Sequence, residues 1–157
     1  MKTKQLFFVG LIGVLAIAPL AAQSEVLEMH SEDEGIMDAV ASHDDLSRFH
    51  EILTEYDGDA VNEDRSLAIF APHDDVLEDV AVDELSEGEI AELFNRHSAS
   101  GLASTTSVEW IDWFATSDGE QVSVERDDES ILLNGSVAVL EAIEVSNGYL
   151  YVISETL

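Results

Sequence analysis

The chain has 157 residues, with 34 Asp and Glu against 6 Lys and Arg, no cysteine and a formal net charge of −28. This charge excludes direct binding to nucleic acid or to an anionic membrane surface, since both would be repelled and no basic cluster opposes the repulsion. The lack of cysteine excludes disulfides and a lipidated cysteine, so that packing alone must hold the fold. A hydrophobic fraction of 46% is too high for a disordered chain, and the length fits one domain.

The first residues have the layout of a secretory signal peptide. Two lysines precede an apolar run from Leu6 to Leu20, and small residues and then acids follow it. We therefore predict that segment 1–22 is cleaved after Ala22, or alternatively after Ser24, and that the protein is secreted or periplasmic. An uncleaved membrane anchor is the competing interpretation, but the run is short for a span of about 20 residues and no basic stop follows it.

Cleavage would make the charge of the protein more extreme. Lys2 and Lys4 lie in the signal segment, which leaves 34 acidic residues against four basic ones, all arginine. Such a surface repels itself at ordinary ionic strength, whereas at molar salt the Debye length falls to about 3 Å and the repulsion fades. The composition therefore favours a solvated, salt-adapted acidic surface. Calcium sites among the acids are the competing interpretation.

The N-terminal half predicts helices. Residues 23–34 show no clear periodicity and are predicted to be a mobile acidic leader ahead of a domain over 35–157. A short helix is predicted at the start of this domain, followed by a second helix with an apolar stripe and an N-cap from Asp44 or Asp45. The acidic segment 57–66 is predicted to be a polar loop.

The middle of the chain combines a buried strand with a strong helix signal. The apolar run 67–72 predicts a strand, after which Asp74 or Asp75 is expected to cap a turn of helix. Ser86 and Glu89 form an S-x-x-E capping box, which predicts the start of a further helix.

The last third of the chain changes to a period of two. Aliphatic residues and tyrosines alternate with polar residues between positions 122 and 153, and the dipeptides Asn134-Gly135 and Asn147-Gly148 are strong hairpin signals. Helices followed by an antiparallel meander define the α+β class.

Four segments resemble, in their order and spacing, the motifs of fasciclin-like domains. They are LAIFAPHDDVL (67–77), LFNRHSASG (93–101), LNGSVAV (133–139) and SNGYLYVISETL (146–157). The positions that match the family motifs are Phe70, Ala71, Pro72, Asp74, Asn134, Gly135, Asn147 and Gly148. Four motifs in order are more specific than any one of them, and the resemblance covers residues 35–157.

The resemblance implies a wedge of two β-sheets flanked by helices, in an exported adhesion or binding domain of a kind that bacteria often export singly. The sequence departs from the family pattern at some positions. Arg96 stands where the family has the Tyr of a Tyr-His pair, although His97 is kept, and Tyr151 replaces the His of the last motif. Arg96 differs from the family Tyr in both charge and shape.

Two groups of side chains are candidates for binding a partner. Arg96 and His97 come at the end of the predicted helix, where a cation is favoured, but His97 also fits a packed and hydrogen-bonded position. Trp110, Trp113 and Phe114 have i, i+3, i+4 spacing, which favours core packing on a short helix or turn. An exposed aromatic surface for a partner protein or a sugar ring is the alternative.

The sequence contains no recognisable catalytic or metal-binding pattern. It has no G-x-S-x-G, no cysteine and no glycine-rich phosphate loop, and His43 and His50 lack the further ligands that a metal site needs. The segment DGDAVNED departs from a calcium loop at its fifth, sixth and twelfth positions. We therefore predict no enzyme activity, no cofactor and no metal site.

Taken together, the sequence predicts a secreted binding module that recognises a protein or polysaccharide partner at a cell surface or in a matrix. The first alternative is a purely structural domain that associates with itself. The second is a metal-dependent or hydrolytic exported enzyme, which would need histidines and carboxylates to converge in a pocket.

Overall fold

The computed structural model describes residues 27–31, 34–63, 67–102, 108–127 and 130–157. The strands among them are β1 (Leu27–Ser31), β2 (Leu67–Pro72), β3 (Ser98–Ser100), β4 (Trp113–Ala115), β5 (Gln121–Arg126), β6 (Ile131–Leu133), β7 (Val137–Val145) and β8 (Gly148–Ile153). The α-helices are α1 (Ile36–Ser42), α2 (Ser47–Glu63) and α3 (Glu87–Arg96). Short 3₁₀ helices cover Asp74–Leu77, Val82–Glu84 and Val108–Trp110.

The first two helices pack on the sheet through apolar faces. α1 buries Ile36, Ala39 and Val40, which have the i, i+3, i+4 spacing of one helix face. α2 runs on to Glu63, with one non-helical residue at Asp57 (φ 179°, ψ 86°) that kinks it. Both helices contribute to a core cluster that also contains side chains of β2, β7 and β8.

The polar loop predicted for residues 57–66 is wrong up to Glu63, and residues 64–66 lie outside the described part of the chain. The backbone of α2 stays helical after its kink, and Val61 is only 1% exposed in the core beneath the helices. Two adjacent apolar residues, Ala60 and Val61, among acids are too weak a periodic signal to predict a helix, so that tertiary packing decides the structure here.

Asp74 caps α2 from a different part of the chain, instead of capping its own turn as predicted. Its carboxylate accepts hydrogen bonds from the backbone N–H groups of Ser47 (3.1 Å) and Arg48 (2.9 Å) and from the Ser47 hydroxyl. Burial alone would raise the pKa of Asp74, but these hydrogen bonds lower it below its ordinary value of 3.8. The cap predicted from Asp44 or Asp45 is therefore wrong.

The 3₁₀ helix after β2 is capped by His73 instead, whose ring Nδ1 accepts a hydrogen bond from the Asp75 backbone N–H (3.3 Å). α3 begins as predicted. The Ser86 hydroxyl accepts from the Glu89 N–H (3.4 Å), while the Glu89 carboxylate accepts from the Ser86 N–H (2.9 Å), so that the capping box is confirmed. α3 packs on α2 through a stacked pair, Tyr56 and Phe94, with ring centroids 4.1 Å apart.

Within the described residues, the strands follow one hydrogen-bonded path in the order β3-β2-β8-β7-β6-β5-β4, and β1 pairs with β7. β2 with β8 and β1 with β7 are parallel, whereas the other pairs are antiparallel. The run from β4 to β8, in which each strand pairs with the next, confirms the predicted meander. Residues 27–31 pair with β7 as a strand, which differs from the mobile leader predicted over 23–34.

The path curves until its two ends meet. Phe70 on β2 stacks on Phe114 on β4 with centroids 4.7 Å apart, and the Ser117 N–H after β4 donates to the Ser98 carbonyl of β3 (2.7 Å). β7 connects the two parts of this path, because its first residues pair with β6 and its residues from Val139 onward pair with β8. The register of the β7–β8 pair is irregular between Val139 and Glu141. One core lies inside this curve and another beneath the helices, which confirms the α+β class.

The two Asn-Gly turns take different structural roles. Asn134 (φ 52°) and Gly135 (φ 74°) both have positive φ, as the type I′ turn of the predicted β6–β7 hairpin requires. Asn147 instead joins three elements: its amide oxygen accepts from the Ile36 N–H (2.9 Å), and its amide nitrogen donates to the Val61 carbonyl (3.0 Å). Asn147 thereby fixes both helices to the start of β8.

Gly148 allows β8 to approach β2, since a Cβ at this position would lie 1.8 Å from the Leu67 carbonyl oxygen. We predict that Gly148→Ala lowers the free energy of unfolding by about 3 kcal/mol or more, because the backbone of β2 would have to move. Urea denaturation in molar NaCl would measure this.

The matched control is Gly88→Ala in α3, where the nearest atom to an added Cβ is the Ser86 hydroxyl at 4.0 Å. This change should raise the free energy of unfolding by up to about 1 kcal/mol. Equal denaturation midpoints for the two variants would contradict the predicted close contact between β8 and β2.

Candidate functional site

The structure separates the residues that the sequence grouped as candidates for binding. Trp110 is 78% exposed and Trp113 is 57% exposed, whereas Phe114 is 3% exposed and His97 is 1% exposed. Arg96 lies at the surface and is partly buried. The exposed pair, Trp110 and Trp113, is hereafter called the tryptophan surface.

The predicted helical face of Trp110, Trp113 and Phe114 is wrong. Trp110 ends a 3₁₀ helix, and the chain is already extended at Trp113, the first residue of β4. Side chains alternate between the faces of a strand, so that Trp113 points outward while Phe114 enters the core inside the curved sheet. The helical interpretation failed because the spacing spans a boundary between two kinds of backbone.

Arg126 on β5 holds the segment that carries both tryptophans. Its guanidinium donates hydrogen bonds to the carbonyls of Val108 (3.4 Å) and Ile111 and to the Asp112 carboxylate (2.8 Å). The Val124 N–H adds a bond to the Asp112 carbonyl (2.8 Å). The two indoles are therefore exposed on a braced segment.

A second brace comes from the core. The backbone N–H of the buried Val108 donates to the hydroxyl of Tyr151 (3.3 Å), which stands where the family motif has His. The Tyr151 ring stacks on Phe70 with centroids 5.1 Å apart. Sequence reasoning did not connect Arg126 or Tyr151 with this surface, because neither is close to the tryptophans along the chain.

His97 is packed and hydrogen-bonded in the structure, and a role for it in binding a partner stays a prediction. The residue ends α3, where its ring Nδ1–H donates to the Leu93 carbonyl (2.9 Å) and its Nε2 accepts from the Leu157 N–H (3.1 Å). The ring also meets Phe49 edge-on, with centroids 6.1 Å apart. The packed and hydrogen-bonded interpretation of His97 is correct.

Arg96, beside His97, is engaged in ion pairs. Its Nη2 lies 3.3 Å from the Glu92 carboxylate, and its Nε lies 3.7 Å from the Asp118 carboxylate. Hydrogen bonds, first among them one from the Thr116 hydroxyl, lower the pKa of Asp118 below its ordinary value of 3.8. Arg96 thus links the end of α3 to the β4–β5 turn.

A cleft of about 310 Å³ lies between α3 and the last residues of the chain. Apolar side chains, among them Leu77, Val80 and Leu93, form much of its lining, with Arg96 and Glu92 beside them. His97, Thr156 and Leu157 also line the cleft.

Within the described residues, no group of three or more His, Asp or Glu side chains is arranged to hold a metal ion. His43 pairs instead with Glu141 (3.1 Å), and His73 lies 3.6 Å from Asp45. None of the helices in the described ranges has the length and apolarity that crossing a membrane requires.

Burial lowers the pKa of His97 below its ordinary value of 6.5. The unfolded chain therefore takes up a proton as the pH falls below about 6.5, while the folded chain does not, and folding stability decreases over that range. We predict that the ring signals of His97 in an NMR titration change at a pH below 6.5.

The same titration should appear in the free energy of unfolding, measured between pH 8 and pH 5 in molar NaCl. The stability of the wild type should fall relative to that of His97→Gln, which has no imidazole to titrate. A midpoint for His97 at or above pH 6.5 would contradict the burial of a neutral ring.

In the part of the chain that the structure describes, three α-helices pack against a strongly curved mixed sheet, which defines an α+β module. The comparisons with known proteins identify the family of this module. The chain matches the profile of the Fasciclin domain over residues 44–157, and it therefore belongs to this family. The resemblance inferred from the sequence motifs is thus confirmed. Fasciclin domains are generally non-enzymatic modules related to cell adhesion.

Among solved structures, the chain is similar to a FAS1 domain pair from the insect cell adhesion molecule fasciclin I, with 17% sequence identity and a TM-score of 0.60. The match covers 80% of this chain and 51% of the domain pair, so that the chain spans about half the length of that structure. At this identity the likeness shows the fold alone. No curated protein gives a significant match.

Proposed function

We propose that this fasciclin domain is a secreted adhesion or binding module that recognises a protein or polysaccharide at a cell surface or in a matrix. The observation that carries the proposal is the tryptophan surface, in which two large aromatic side chains are exposed on a segment held by Arg126 and Tyr151. Tryptophan is a favoured anchor in binding sites, and a backbone segment that is already held in place loses little conformational entropy on binding.

Export is part of this proposal. It is supported by the signal-peptide layout of segment 1–22, which lies outside the described residues, and by the family, whose members are typically extracellular or at the surface. A self-associating structural domain is the second candidate, since the same tryptophans would fit a contact between two copies. Sedimentation across a range of concentrations distinguishes a monomer from such a dimer.

The tryptophan surface can be tested by truncating its side chains. We predict that Trp110→Ala and Trp113→Ala each weaken adhesion of protein-coated beads to matrix or cells about tenfold or more, because the loss of an aromatic anchor costs about 1.4 kcal/mol or more. The free energy of unfolding should change by about 0.5 kcal/mol or less, as both side chains are exposed.

The matched control is Leu140→Ala on β7, because Leu140 is also a large exposed hydrophobic residue. This variant should adhere like the wild type. Normal adhesion by both tryptophan variants would show that the proposed contact surface is wrong.

We propose further that the acidic surface adapts the protein to a saline environment. The net charge of −28 supports this, as does the engagement of Arg96 and Arg126 with nearby carboxylates, which leaves a large excess of negative charge. Repulsion among these carboxylates opposes folding at low ionic strength, and dissolved ions screen it.

Thermal melts separate screening from a specific calcium site. We predict that molar NaCl and molar KCl raise the melting temperature alike, because both screen the same repulsion. Millimolar CaCl₂ at low ionic strength should have a much smaller effect. A large rise with calcium alone would favour a calcium site instead, and a melting temperature that no salt changes would contradict the adaptation.

A further inference from the structure

Trp113 lies on the outward face of the β4–β5 hairpin, beside a row of polar side chains. In the register of this hairpin Trp113 faces Ser123 and Ala115 faces Gln121, and Ser123, Gln121 and Glu125 are all exposed. Residues that face each other in an antiparallel pair have Cβ atoms about 4.5–5.5 Å apart. A flat indole is therefore bordered by a hydroxyl, an amide and a carboxylate on one open face of the sheet.

From this arrangement, and resting on the proposed function, we infer that the ligand of the tryptophan surface is a neutral polysaccharide. The flat C–H face of a sugar ring is apolar and stacks on an aromatic ring, whereas the hydroxyls at its edge need donors and acceptors. Trp113 offers the aromatic ring, and Ser123 and Gln121 on the neighbouring strand offer hydrogen-bond donors and acceptors.

Trp110 extends the tryptophan surface along the segment, as contact with a polymer requires. It precedes Trp113 by three residues, so that their Cα atoms are at most about 11 Å apart. Both indoles are exposed, and Arg126 and Asp112 fix the backbone between them. The two exposed aromatic side chains therefore belong to one braced segment that is short enough to lie along a few sugar units of one polymer chain.

Charge decides which class of polysaccharide is bound. The protein carries a net charge of −28, the exposed Asp112 lies between the two tryptophans, and the guanidinium of Arg126 is already paired with it. An anionic polymer would be repelled and would find no free cation on this segment. A neutral polymer avoids this repulsion, so that its binding should also be insensitive to salt.

The surface suits a protein partner less well. A typical protein interface buries about 800 Å² on each partner around a largely apolar core. Among the described residues, the one other large hydrophobic side chain that is exposed is Leu140, which lies on β7 and not on the β4–β5 hairpin. Two aromatic rings bordered by polar groups match a hydroxyl-rich polymer.

Affinity electrophoresis tests the inference with the full chain and defined polymers. Gels would contain a neutral β-glucan, an α-mannan, a β-galactan or, as the anionic probe, alginate, each with 0.1 M or 1 M NaCl. Far-UV circular dichroism at both salt concentrations would first show that the protein is folded, because low ionic strength opposes folding. We expect at least one neutral polymer to slow the protein at both salt concentrations, and alginate to have no effect. Trp113→Ala should reduce the affinity at least tenfold, Trp113→Phe should retain part of it, and Leu140→Ala should bind normally.

The outcomes separate this inference from the proposed function. If no neutral polymer binds, or alginate alone binds, while adhesion of beads still depends on Trp110 and Trp113, the polysaccharide inference is overturned and the binding surface stands. If a neutral polymer binds equally well to the wild type and to Trp113→Ala, the placement of the site is wrong. If adhesion does not need either tryptophan, the proposed function itself fails.

Discussion

The parallel pairing of β2 with β8 is the constraint on which the rest of the structure depends. All six residues of β2 are buried, and they alternate between two cores: Leu67, Ile69 and Ala71 contribute to the cluster beneath the helices, whereas Ala68 and Phe70 contribute to the cluster inside the curved sheet. A strand covered on both faces needs its neighbour close and in register. The missing side chain of Gly148 permits that approach, and the Asn147 amide ties the helices to the same point.

Local signals in the sequence predicted the elements whose stability is local. The capping box of α3 and the Asn134-Gly135 turn needed only neighbouring residues, and alternation along the meander followed from one buried face. The predictions that were wrong concern residues whose partners are distant along the chain. Asp74 caps a helix that begins 27 residues earlier in the chain, and Val61 keeps its acidic segment helical through contacts that no local pattern encodes.

The candidate site shows the same division between local and distant information. The sequence identified Trp110 and Trp113 as notable, and it left core packing and exposure as alternatives. Composition could not decide between them, because the answer depends on a change of backbone at Trp113 and on the reach of Arg126 from a later strand. His97 was easier to interpret, since the end of an amphipathic helix offers its ring both a carbonyl and an apolar surface.

The pairing of β1 with β7 determines which strand forms one edge of the sheet. β6 occupies one edge of β7 only at its start, and β1 pairs along Glu141–Val145 on that same edge, opposite β8. β1 precedes the region matched to the fasciclin family, yet it covers backbone donors and acceptors that would otherwise form an open sheet edge. A chain that lacks β1 would present that edge of β7 to an extended segment of another molecule instead. Among the described strands β1 pairs with β7 alone, so that β1 takes the edge position there in place of β7.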